Sequence, residues 1–228
     1  MQCKVQRMDS SHAAQHLEVI RTLMERSAIY RRALSPVMTL AGTIGIIAAG
    51  AGWLLNFEAP VVFTAYWLCV GMLGALSAFL LVRQQALKQK EPLFTPPARR
   101  IVQAMLPCLV IGFVLGIVLL AAEMQRGDPD VLLPSAAGAD LMWLPLSWIM
   151  LYGCAIHASG AFTPRGLRLF GWIFITGGSI AFASWVLTNV LGSVRPQQTG
   201  HLLMGFFFGV VHLAYGAYLS ATERKNGT

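Results

Sequence analysis

Apolar residues in this chain come in long, nearly continuous runs separated by short polar breaks. Six runs lie near Pro36–Leu55, Pro60–Val82, Ile101–Ala122, Leu141–Phe162, Leu169–Val190 and His201–Leu219. Each reaches the roughly 20 helical residues needed to cross ~30 Å of hydrocarbon. Helix is the expected form, because an open strand leaves its backbone unpaired in lipid. The predicted fold class is therefore all-α: a polytopic transmembrane helical bundle of about six spans over residues 36–219. The polar break Asn56–Ala59 is short enough only for a tight turn, so the first two helices should form an antiparallel hairpin. The longest break, Glu123–Asp140, carries Gly127, Pro129, Pro134 and Gly138 and reads as irregular chain.

A different pattern precedes the first run. In residues 1–35, Ala13, Leu17, Ile20, Leu23, Met24 and Ala28 recur at three- and four-residue spacing, the stripe of an amphipathic helix capped by Ser10 or Ser11. With six Lys or Arg and no apolar core, this segment does not read as a cleavable signal peptide. A basic amphipathic helix before a span suits the anionic inner leaflet, the bundle itself or a protein partner.

Charge orients the bundle. Fifteen of the 17 Lys and Arg fall in the N-terminal segment, the Arg83–Arg100 break, the pair Arg165 and Arg168, and the tail at residues 220–228. Only Arg126 and Arg195 fall on the other side. The asymmetry puts both termini in the cytoplasm. The net charge of +7 is thus a topology signal, and no nucleic-acid partner is expected.

Composition agrees with the spans. Charged residues make up 12% of the chain, about half the share of a soluble domain, and the mean hydropathy is +0.61. The cysteines at 3, 69, 108 and 154 form no CxxC, so neither a disulfide framework nor a zinc site is indicated. His12 and His16 share a helical face without a carboxylate or cysteine beside them. Walker A, GxGxxG, HExxH and GxSxG patterns are all missing, and no catalytic residue is assigned.

The candidate chemistry rests on histidines within the spans, since an intramembrane ionisable residue is a functional suspect. His157 lies between Gly153 and Gly160. His212 lies in Gly205-x-x-x-Gly209-x-x-His212-x-x-x-Gly216, which on a regular helix puts three glycines and the imidazole on one face. His201 stands eleven residues earlier at the external end. Counted from the predicted ends, His157 and His212 lie ~9–11 Å below the inner boundary and can face each other. Opposed histidines are the minimum for haem b ligation and also suit a quinone or a proton relay. The competing reading has each histidine hydrogen-bonded across a helix contact, with the glycines serving packing. Tyr152, Tyr215, Tyr218, Trp143, Trp148 and Trp172 suit an interfacial belt or the lining of an apolar cavity. Pro107 and Pro145 fall near span starts, where a missing N–H costs least.

Two stretches carry a resemblance: Ile20-Arg-Thr-Leu-Met-Glu-Arg-Ser27 with Tyr30, and Gly205-Phe-Phe-Phe-Gly-Val-Val-His-Leu-Ala-Tyr-Gly216. Together they resemble an uncharacterised family of six-span bacterial inner-membrane proteins, mainly from acidobacteria-like genomes. That resemblance implies a location and no activity. The expectation is a non-enzymatic scaffold, sensor or accessory subunit. A haem- or quinone-binding redox protein using His157 and His212 is the first alternative, and a small-solute transporter the second.

Overall fold

The computed structural model describes residues 34–57, 59–88, 96–126, 140–162, 165–188 and 196–226. The amphipathic helix expected from the sequence before α1, the stretch 127–139 and the last two residues lie outside them. Everything described is helix and connecting turn, with no strand among the described residues. The order is α1 (Leu34–Leu54), α2 (Pro60–Lys88), α3 (Pro96–Arg126), α4 (Trp143–Ser159) and α5 (Arg165–Thr188). A last, unbroken helix follows in three parts: α6 (Pro196–Met204), a π-helical stretch Gly205–Val211, and α7 (His212–Asn226).

Five of these helices are long and apolar enough to cross a membrane: α1, α2, α3, α5 and the composite last helix. The run predicted over Leu141–Phe162 is shorter than expected, because α4 spans 17 residues and is led by a 3-10 turn, Asp140–Met142. Proline starts α2, α3 and α6, where its absent N–H has no intrahelical partner to lose. Pro107 departs from that rule. Since α3 begins at Pro96, Pro107 is interior to the helix and not at its first turn, which corrects the sequence reading.

The α1–α2 hairpin closes as expected. Phe57 N–H bonds to the Gly52 carbonyl at 3.2 Å and Asn56 N–H to Trp53 at 3.3 Å, the paired bonds of a Schellman C-cap. Asn56 takes the left-handed conformation, φ 50°, which asparagine tolerates better than most residues with a Cβ.

The bundle is held along an antiparallel seam between α1 and the last helix. Thr39 meets Gly216, Gly42 meets Leu213, Gly45 meets Phe208, Ala49 meets Gly205, and Gly52 meets the ring of His201. These are near-backbone contacts: a Cβ on Gly45 would lie 2.5 Å from the Phe208 carbonyl oxygen. Small residues permit such an approach where lipid offers no hydrophobic drive between helices. At one end, Ser35 Oγ donates to the Gly216 carbonyl at 3.2 Å and lies 2.6 Å from Ser220 Oγ.

Two apolar layers fill the bundle. One joins Met38, Ile149, Ile156, Leu167, Phe170, Phe174, Phe207 and Leu219; the other joins Ala48, Phe63, Trp67, Leu141, Leu144 and Met204. Helix α4 contributes to both, with α3 and α5 packed beside it. Trp148 reaches from α4 to donate its Nε1–H to the Gly112 carbonyl of α3 at 2.8 Å, and Gly71 of α2 leaves room for its ring. By contrast, only 11% of the apolar stretch of α2, and the same share of α3, is buried. Their exposed Leu73, Leu76, Val110 and Val114 form an outer apolar surface suited to acyl chains.

The seam makes a contrast between glycines measurable. Gly45→Val should destabilise the detergent-purified protein by ~1–3 kcal/mol, the usual cost of overpacking, seen as a lowered Tm. Gly50→Ala, where an added Cβ meets nothing within 4 Å, should leave Tm unchanged or raise it. Equal effects of the two substitutions would show that the seam is not closely packed.

Candidate functional site

The last helix carries two buried histidines, one on each side of its π-helical stretch, each enclosed by aromatic rings. His212 is 1% exposed. Its Nδ1 lies 3.0 Å from the Phe207 carbonyl oxygen and its Nε2 lies 2.8 Å from Tyr152 Oη. A carbonyl can only accept, so Nδ1 carries the proton and Nε2 receives the Tyr152 O–H. Both ring nitrogens are therefore engaged. Phe170 and Phe174 present edges to the imidazole at 5.2 and 5.4 Å, and Phe208 stacks at 6.0 Å.

The local backbone explains why this residue points where it does. A regular helix would put His212 on the face of Gly205 and Gly209. The π-helical stretch widens the turns, so the residues meeting α1 run Gly205, Gly209, Leu213, at every fourth position. His212 is thereby turned off the glycine face and toward Tyr152 of α4 and Phe170 and Phe174 of α5. The sequence reading placed glycines and imidazole together; the π turns separate them, and α1 occupies the glycine face.

His201 is the centre that sequence reasoning underweighted. It is 2% exposed, accepts a hydrogen bond from Trp67 Nε1 at 3.2 Å, and lies edge-on to Phe63 at 4.8 Å, with Tyr66 beside it. Its ring rests on Gly52, where a Cβ would come within 2.3 Å of it. Its Nε2 finds no acceptor within hydrogen-bonding distance, although the Phe57 backbone comes near the ring. An orphaned buried donor costs ~1–3 kcal/mol, which the surrounding packing must offset. The signal was present in α2: Phe63, Tyr66 and Trp67 share one helical face, and a buried indole N–H needs an acceptor.

His157 lies apart from both. Its ring meets Trp172 edge-on at 5.2 Å, no hydrogen bond reaches it among the described residues, and its Nδ1 is buried without a partner. Phe170 and Phe174, one turn apart on α5, face His212; Trp172 falls midway between them and so on the opposite side of α5. The structure thus does not bring His157 and His212 together. Their depths also differ. His157 is two residues from the end of α4 at Ser159, whereas His212 begins the 15-residue α7.

Glycine also sets the α4–α5 crossing. A Cβ on Gly171 would lie 2.7 Å from His157 N, and one on Gly153 would lie 2.8 Å from Ile175 N. Just beyond, Arg168 Nε donates to the Gly160 carbonyl at 2.8 Å, tying α5 to the end of α4. Of the aromatic residues read as belt or cavity lining, Trp143 and Trp172 are exposed, while Trp148 and Tyr152 are clamped between helices. Cys69, Cys108 and Cys154 are free thiols. No group of three His, Cys, Asp or Glu side chains suited to a metal ion occurs among the described residues.

No protein-family model, no curated protein and no solved structure matches the chain.

The Tyr152–His212 bond is open to a double-mutant cycle. Tyr152→Phe leaves Nε2 without its donor and should cost ~1–3 kcal/mol of unfolding free energy. In the His212→Phe background the same change should cost less, with a coupling of ~0.6–1.7 kcal/mol, the range for hydrogen bonds between membrane helices. Strict additivity in denaturant titration would mean the two groups do not interact.

Proposed function

We propose that the chain is a six-span protein of a bacterial inner membrane, with both termini in the cytoplasm, acting without catalysis as a scaffold, sensor or accessory subunit. The sixth span in this reading is α4. Seventeen α-helical residues and three 3-10 residues together reach about 31 Å, close to the hydrocarbon thickness. Flanked by other helices, α4 needs less apolar length than a helix ringed by lipid. The basic residues of the Arg83–Arg100 break, of Arg165 and Arg168, and of the N-terminal segment supply the orientation.

The observation that carries the functional reading is the commitment of His212. One nitrogen is bonded to its own helix and the other to α4, so the imidazole acts as a cross-link between helices. The glycine face, the surface a flat ligand would need, is filled by α1. The rival redox reading fits these residues poorly. Haem ligation by His212 requires one of its two bonds to break, and His157 contacts the far side of α5. A coupled transporter usually carries broken helices or buried charges at its midplane, whereas several of the interior polar groups described here link helix to helix. The amphipathic stripe before α1 is then the arm through which the bundle meets a protein partner or the inner leaflet.

Two measurements test this. In a variant with the native cysteines replaced, Leu55→Cys should react with a membrane-impermeant maleimide on intact cells, and Ala161→Cys only after lysis; the reverse pattern overturns the topology. The absorption spectrum of protein purified in mild detergent from its native host should show no Soret band before or after dithionite. A reducible Soret band at one haem per chain, lost in His212→Ala, would replace the scaffold reading with the redox one.

A further inference from the structure

We propose that the outer face of the α4–α5 crossing binds the headgroup of one anionic phospholipid through Arg168 and Trp172, the indole being braced by the His157 ring. Arg168 is exposed and has no carboxylate partner among the described residues. Its Nε–H is fixed to the Gly160 carbonyl at 2.8 Å, and its Cγ lies over Gly160, where a Cβ would come within 2.4 Å. The guanidinium is therefore held in place while its two terminal NH2 groups meet no partner among the described residues, the fork that matches a phosphate. A snorkelling arginine without such an anchor sweeps a wide volume; this one presents a fixed charge.

The indole continues the same surface. Trp172 lies one turn beyond Arg168 on α5, so both fall on one helical face, and it is 49% exposed. Its ring packs edge-on against that of His157, whose Nδ1 is buried. An indole at the headgroup level beside an anchored guanidinium recognises a phosphodiester at the edge of an apolar phase. Exposed Leu169 and Ile173 flank the group on α5 and offer acyl chains a surface. That flank is why the ligand is a lipid and not free phosphate. The leaflet assigned to it, the inner one, rests on the topology proposed above; the binding itself does not.

The test uses the full-length protein, delipidated in detergent and titrated with phosphatidylglycerol or phosphatidylcholine under native mass spectrometry. One phosphatidylglycerol per chain should survive collisional activation, and phosphatidylcholine should not. Arg168→Gln should reduce retention roughly tenfold, the loss of a charge-assisted contact. Arg168→Lys should also reduce it, because Lys keeps the charge but loses the anchored fork. Arg99→Gln, an exposed cation on α3, should retain phosphatidylglycerol like wild type, and melting curves of all variants establish that they fold. Equal retention of the two lipids, undiminished retention in Arg168→Gln, or displacement by millimolar inorganic phosphate would overturn the proposal. Should maleimide labelling reverse the topology while the lipid remains bound, the inner-leaflet assignment fails and the site stands.

Discussion

The antiparallel contact between α1 and the last helix is the constraint on which the remainder depends. Glycines at 42, 45, 205, 209 and 216 let two backbones approach closely, and a Cβ at any of them would lie less than 3.0 Å from the facing helix. The contact follows every fourth residue of the last helix where Gly205–Val211 is π-helical. Those turns decide where the next residue points. Backbone proximity, helix form and the placement of His212 therefore go together along this one seam.

Polar side chains inside the bundle behave as a membrane interior demands. With no water to satisfy them, they bond to backbone carbonyls of their own helix, as Ser159 does to Ile156, to carbonyls of other helices, or to one another. Several make links between helices. Tyr66 Oη donates to the Ala48 carbonyl at 2.6 Å, Trp148 to Gly112, and Tyr152 to the His212 ring. Each links two helices at a defined register, which apolar contacts alone specify weakly. His201 shows the same economy incompletely: its Nδ1 is satisfied by Trp67, while its other nitrogen relies on packing to compensate.

Much of this was legible in the sequence, for physical reasons that differ by element. Five of the six runs reappear as membrane-length helices, because hydropathy and length alone determine whether a helix suits a bilayer. The turn after α1 was legible because the Asn56–Ala59 break is too short for anything else. Helix neighbours were not, since a lipid-facing leucine and a leucine between helices look alike in sequence. The His157–His212 pairing assumed regular 3.6-residue geometry along the last helix and equal depth at both ends. The π turns removed the first assumption, and the early end of α4 removed the second. His201 was passed over because it was judged from its own helix alone, whereas its acceptor role is written in Trp67, 134 residues away.

The α1–last helix seam also sets an order in time. Helix α1 leaves the ribosome before the surface that completes it, which is encoded roughly 160 residues later. At ~5–20 residues per second, that interval is roughly 8–30 s. Through it, α1 sits in the bilayer beside its hairpin partner α2 with its glycine face uncovered. Synthesis of the last helix is therefore the step that closes this seam, and a chain arrested before His201 keeps the glycine face of α1 open.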